Sequence, residues 1–256
     1  MQGKISKILN NKTLLKVPQV TIFFWIIKLL STALGESTSD YLVFQINPYI
    51  AVGIGALGLL IALILQLRVK KYIAWVYWLA VIMVAIFGTM AADVLHVGFG
   101  IPYIVSTIFF AISLTVIFGL WYKVEKTLSI HSINTTRREL FYWITVIATF
   151  ALGTAAGDMT AATFGWGYLL SGIVFAIVFI IPGIIYYKVR SKEVFFFWFA
   201  YIITRPFGAS FADYFGKPIL GGLGLGDGAV SAVLTILIII LVGYLTISKK
   251  DTEKTN

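Results

Sequence analysis

Apolar residues run in eight long stretches separated by short segments rich in charge, glycine or proline, at roughly 20–42, 48–67, 73–97, 101–122, 140–164, 167–187, 194–216 and 229–247. Each is long enough to cross a hydrocarbon layer of about 30 Å, which takes about 20 residues of helix. The pattern predicts an all-α integral membrane protein with about eight transmembrane helices. A single membrane domain would cover 20–248, between a basic arm at 1–19 and a tail at 249–256, and no low-complexity linker divides it. The lysine-rich start looks like the head of a signal peptide. The run that follows is too long, however, and continues into polar Glu36 and Asp40 without a clear cleavage site, so it counts as the first span.

An internal repeat organises the spans. The segments FFWIIKLLSTALGESTSD, VYWLAVIMVAIFGTMAAD, FYWITVIATFALGTAAGD and FFWFAYIITRPFGASFAD align without a gap, each with an aromatic-Trp pair, nine residues, Gly, four residues and Asp. The anchors are Trp25, Gly35 and Asp40; Trp78, Gly88 and Asp93; Trp143, Gly153 and Asp158; and Trp198, Gly208 and Asp213. Each repeat is a helix hairpin, at about 20–70, 73–124, 139–190 and 193–248. With two spans per unit every copy enters the membrane in the same direction, so the repeats are parallel and equivalent residues share one depth. From Trp to Asp is about 22 Å at 1.5 Å per residue. Tryptophan then belongs to one membrane interface and aspartate lies toward the other. The glycine permits close helix approach and lets the acidic ends converge, as a ring or as two facing pairs.

Charge adds an orientation. All of the 20 Lys and Arg except Lys28, Arg205 and Lys217 lie in the arm, in the loops joining spans two to three, four to five and six to seven, or in the tail. The positive-inside rule puts that side, with both termini, in the cytoplasm. The net charge of +9 is thus mainly a topology signal, spread over short loops, with no nucleic-acid partner implied and the lipid bilayer as the expected surroundings.

Composition narrows the chemistry. With no cysteine, two histidines and four methionines, thiolate and soft-metal sites are excluded, and oxygen is the expected ligand. A buried aspartate near the C-terminal end of a helix meets the negative end of the helix dipole and calls for a compensating cation or proton. The bland reading is that each Asp marks a watery helix end. Lys28, Thr32, Glu36 and Asp40 recur every four residues and form one ridge, so Glu36 and Asp40 can face one site. At the Glu36 position the other copies carry Thr89, Thr154 and Ala209, a partly hydroxylic second layer; threonine there can instead bond its own backbone. Lys28 and Arg205 are expected to balance charge within the apolar layer. Lys28 is close enough to Trp25 to snorkel outward, and Arg205, before Pro206, is better placed to pair with an acid on a neighbouring helix. His96 joins the outer site, acts as a proton sensor or has no special role, and His131 has none.

One enzyme motif occurs. Gly224-Leu225-Gly226-Asp227 matches the GxGD signature of intramembrane aspartyl proteases, but the Tyr-Asp and Pro-Ala-Leu segments of those enzymes are missing. No phosphate-binding loop, dinucleotide fingerprint or nucleophile elbow is present, so the expectation is a non-enzyme.

The segment Lys16-Val17-Pro18-Gln19-Val20-Thr21 with the following FFWIIKLLSTALGESTSD, and the closing GLGLGDGAVSAVLTILIIILVGYLTIS, resemble a bacterial family of uncharacterised membrane-anchored proteins with this fourfold pattern. The resemblance spans nearly the whole chain. It implies a bacterial or archaeal integral membrane protein and carries no activity.

The sequence therefore leads to a multi-pass protein of the plasma (inner) membrane. Its expected role is that of a secondary transporter or channel-like permeation protein for a hard cation such as Mg, Ca, Mn or an alkali ion, with proton coupling open. Asp40, Asp93, Asp158 and Asp213 would be the metal ligands, with Glu36, Thr89 and Thr154 lining the substrate site and no cofactor beyond the bound cation. The alternative is a non-transporting membrane scaffold or regulator, and a remote one an intramembrane aspartyl protease.

Overall fold

The computed structural model describes residues 15–188 and 192–252. Lys4, Lys7, Lys12, Arg190 and Lys254, which enter the charge argument, lie outside the described residues. Eight long helices follow one another: α1 Ile22–Gln45, α2 Pro48–Arg68, α3 Ala74–Asp93, α4 Tyr103–Glu125, α5 Thr136–Asp158, α6 Gly167–Lys188, α7 Glu193–Gly216 and α8 Asp227–Ser248. Among the described residues there is no β-strand. Local signals set several of the boundaries. Thr21, Asn47 and Thr135 each accept a hydrogen bond from a backbone N–H of the first turn that follows, and Pro48 supplies a pre-set first residue to α2.

Seven of the helices are long and apolar enough to span a membrane. The exception is α1, which is as long as the others and carries Lys28, Glu36 and Asp40. A broad apolar surface, including Ile54, Leu57, Ile108, Ile177, Ile236 and Ile239, faces outward. Exposure on that scale is stable only where the surroundings are themselves apolar. This is a multi-pass membrane protein.

The odd-numbered helices form an inner ring in the order α1, α3, α5, α7 and back to α1. The even-numbered helices stand outside it. More than half of each qualifying inner span is buried, against 17–28% of the outer ones. The partners of the outer helices do not follow the hairpins. Each packs chiefly on the inner helix of the next repeat, α2 on α3, α4 on α5 and α6 on α7, while α8 closes the circle on α1. The bundle is thus a closed ring of handed-over helices rather than four self-contained hairpins.

The repeat glycines make the ring tight. A Cβ built on Gly35, Gly88, Gly153 or Gly208 would come within 3.0 Å of the neighbouring inner helix, at Ala85, Phe150, Arg205 and Thr32 respectively. Each of those contacts stands three residues before the next repeat's own glycine, so the same contact is made four times around the ring. Only a residue without a side chain fits there.

At the opposite end the tryptophans depart from expectation. Trp78, Trp143 and Trp198 are buried in one aromatic cluster rather than lying at a lipid interface, and the Nε1–H of Trp198 donates to the Leu128 carbonyl at 2.8 Å. Their depth agrees with the repeat, but ring closure turns them inward. The same end holds the described basic loops together. Lys16 pairs with Glu139, Tyr72 N–H donates to Leu15 and Gln19 N–H donates to Asp251, which ties the first described residues to three other segments.

Candidate functional site

Five residue layers, each four positions beyond the last, run along the inward ridge of the four inner helices. From the basic end they are Phe24, Tyr77, Tyr142 and Phe197; Lys28, Val81, Val146 and Tyr201; Thr32, Ala85, Phe150 and Arg205; Glu36, Thr89, Thr154 and Ala209; and the four aspartates. Residues of the first four layers are buried. Tyr77 and Tyr142 close the first layer with their hydroxyls 2.5 Å apart. The axis is therefore filled from the basic end up to the layer below the aspartates.

Arg205 lies across that filled region. Its Nη2 donates to Glu36 Oε2 at 2.5 Å, to Thr154 Oγ1 at 2.6 Å and to Thr89 Oγ1, while Nη1 reaches the Thr32 carbonyl at 3.3 Å. One guanidinium from α7 thus binds side chains on α1, α3 and α5. Planar donors in a fixed fork suit such a multiple contact. The threonines bond their own backbone, one of the two expectations for them, and at the same time serve Arg205. Thr89 and Thr154 donate their hydroxyl hydrogens to the Ala85 and Phe150 carbonyls, at 3.0 and 3.2 Å, and offer lone pairs to Arg205. Arg205 pairs with an acid on a neighbouring helix, as its position suggested.

Lys28 behaves otherwise. It does not snorkel, being 1% exposed, and among the described residues no acid lies within ion-pair distance of it. Its Nζ sits 4.0 Å from the Phe150 ring centroid and 4.2 Å from that of Tyr201, so ring faces take the place of a counter-charge.

The aspartates divide into two groups on opposite halves of the ring. Asp40 of α1 and Asp213 of α7 gather with Glu36, and Asp93 of α3 and Asp158 of α5 gather with His96; within each group the ligand atoms lie within 4.8 Å of one another. Asp227, the acid of the Gly-Leu-Gly-Asp segment, belongs to neither group. That segment folds back along the end of α7, where Leu225 N–H donates to Phe215 at 2.9 Å and Gly226 N–H to Gly216 at 3.0 Å, with Gly224 and Gly226 at positive φ.

Two further participants stand outside the expected ligand set. Lys217, counted only as an exception to the charge rule, bridges Asp40 and Asp213 at 2.9 and 2.8 Å. Burial pulls its ammonium pKa down, but Asp213, Asp40 and Glu36 outweigh this and hold it well above the usual value. For His96 a place at the outer site is one of the readings the sequence leaves open, while oxygen alone is expected around any ion. Its Nδ1 is 3.8 Å from Asp158 Oδ2 and its Nε2 2.6 Å from Ser106 Oγ. For Lys217 the signal was its spacing of four from Asp213 on a continuing helix, and for His96 its spacing of three from Asp93.

The repeat just described matches a known one. A family defined as Repeat of Unknown Function (DUF347) matches this chain four times, at residues 23–72, 76–127, 141–192 and 196–251. The chain belongs to that family. The DUF347 units begin within two residues of each Trp anchor and run through one inner and one outer helix, so a unit in sequence differs from a packing unit in space. No curated protein and no solved structure matches the chain.

Proposed function

We propose that the protein is a secondary carrier for a hard cation, set in the plasma membrane with its basic end in the cytoplasm and its acid end facing out. The observation that carries this reading is the convergence of five buried or half-buried acids at one end of a ring whose axis is filled toward the other. Acids at that depth are costly unless a cation joins them, and convergence from four helices supplies the oxygen ligands a hard cation requires. The filled axis favours a carrier over an open channel. Passage requires the Arg205, Lys28 and tyrosine layers to rearrange, which the parallel repeats permit by rocking one half of the ring against the other.

The test is flux into proteoliposomes loaded with an ion-sensitive dye, for Na, K, Mg, Ca and Mn in turn. Uptake of one ion or a small group, abolished in Asp93→Asn and Asp158→Asn, is the expected result. A scaffold is the second reading, favoured by the pairing of three acids with the protein's own Arg205 and Lys217. Properly folded protein that moves none of these ions, with variants equal to wild type, would replace the carrier with that scaffold.

A further inference from the structure

The two acid groups are not equivalent. Past Asp40 and Asp213, α1 and α7 continue as α-helix, whereas Asp93 and Asp158 are each followed by a π-helical turn, Val94–Gly98 and Met159–Thr163. Such turns are rare and concentrate at functional positions. The first of them carries His96, whose side chain is 2% exposed. Among the described residues no lysine or arginine forms an ion pair with Asp93 or Asp158, in contrast to the bridging Lys217 opposite.

The imidazole is held in one orientation. Its ring stands edge-on to Tyr103, with centroids 4.5 Å apart. His96 Nε2 and Ser106 Oγ are 2.6 Å apart, and with the Ser106 hydroxyl donating to the Tyr103 carbonyl at 3.1 Å the Nε2–H donates to Oγ. In that tautomer the Nδ1 lone pair is directed at the acids. Nδ1 is buried and, among the described residues, has no hydrogen-bond partner. A lone pair facing two carboxylates is repelled by both, and a cation placed among the three turns that repulsion into attraction. The spacing agrees. Two ligand atoms on one ion, with bonds of about 2.1 Å, lie between about 3.0 Å apart at a right angle and about 4.2 Å when opposite. The 3.8 Å from Nδ1 to Asp158 Oδ2 falls in this range and is too long for a hydrogen bond.

We propose that Asp93, Asp158 and His96 Nδ1 form a binding site for a divalent first-row transition ion, Mn2+ foremost, with Ser106 as the positioning residue behind the imidazole. This rests on the cation-carrier reading and names its substrate class. Two carboxylates with one imidazole suit an ion that accepts both oxygen and nitrogen, whereas Mg2+ and Ca2+ favour oxygen throughout and Cu+ favours sulfur. Three protein ligands leave positions for water, as release of a transported ion requires. The opposite pair is already held by the Lys217 ammonium, so each chain binds one such ion.

The experiment is titration of the purified full chain with Mn2+ followed by electron paramagnetic resonance, including electron spin-echo modulation by ligand nitrogen. One Mn2+ per chain is expected, with modulation from a single imidazole nitrogen that disappears in His96→Gln. Ser106→Ala is expected to keep that nitrogen signal and weaken Mn2+ binding by about 10–100-fold, and a large excess of Mg2+ should not displace the ion. Because Asp158→Asn can fail to fold, His96→Gln and Ser106→Ala, checked by gel filtration, carry the decision. Mn2+ bound without nitrogen modulation, or displaced by equal Mg2+, overturns this site and leaves the carrier standing. Folded protein that binds none of the tested cations overturns both.

Discussion

The two halves of the acid end start from the same repeat and the same depth and reach opposite electrostatic outcomes. On the α1/α7 half, Glu36 meets Arg205, while Asp40 and Asp213 meet Lys217, so three acids are answered by two cations of the chain itself. On the α3/α5 half, among the described residues, no lysine or arginine pairs with Asp93 or Asp158, and an imidazole stands beside them. Lys217 follows its aspartate by four residues, where the other copies have Phe44, Val97 and Ala162; His96 follows by three, where they have Val43, Ala161 and Gly216. The repeat thus builds the frame, and single departures from it decide what each half is able to bind.

The largest effect is expected at the buried ion pair that closes the compensated half. Arg205→Met or Glu36→Gln alone should lower unfolding stability in detergent by about 3–5 kcal/mol, because each leaves a buried charge or polar group without its partner. The double variant Arg205→Met with Glu36→Leu should recover most of that loss. Single and double variants that unfold alike would remove the pair from the account of this half.

The seam between the halves comes next. Gly35→Val drives a side chain into Ala85, across the α1 to α3 contact, and should cost about 1–3 kcal/mol in the same unfolding measurement. Gly119→Val on outer helix α4, where a Cβ meets nothing within 4 Å, is the control and should change little. Equal effects would mean that the glycine seam is not what holds the halves together.

Lys217→Met erases the contrast directly. With the side chain 19% exposed, its loss should cost between the ~1 kcal/mol of a surface pair and the ~3 kcal/mol of a buried one. It should also free the second acid pair, raising bound Mn2+ from one to two per chain by equilibrium dialysis. Unchanged stoichiometry would show that the ammonium is not standing in for an ion.

The smallest effect concerns pH. Lys217 has a folded-state pKa raised above the usual 10.5, so its contribution to stability is fully present below that value and is lost only as pH rises through the folded pKa. Between about pH 7 and pH 10, wild type and Lys217→Met should therefore differ by a constant offset in unfolding free energy. An offset that shrinks across this window would mean that the ammonium is losing its proton there.

Much of this arrangement is legible in the chain. Spacing alone brings out the four-copy frame, the shared depth of the aspartates and the tight approach at each glycine, because each depends only on helical rise and side-chain size. The ridge of Lys28, Thr32, Glu36 and Asp40 also reads directly, and the same step of four extends to the other inner helices. Packing partners between helices do not read this way. Hairpin connectivity gives no hint that an outer helix leaves its own repeat for the next, nor that the tryptophans turn inward. Lys217 and His96 lie just past the aligned segments; their spacing from Asp213 and Asp93 can be read, but the path of the turns that carry them depends on ring closure and on π-helical geometry, which periodicity does not encode.

The handing-on of each outer helix to the following repeat has a consequence for how the molecule is made. Chains emerge from the ribosome N-terminus first, so α3, α5 and α7 each find their covering helix already synthesised, and α1 waits for α8. The wait falls on the inner helix least suited to it. It is the one not apolar enough to qualify as a span, and the cations that answer Glu36 and Asp40 both belong to the fourth repeat. A nascent chain therefore holds α1 without its covering helix until its last helix arrives. Closure of the ring therefore waits on complete synthesis.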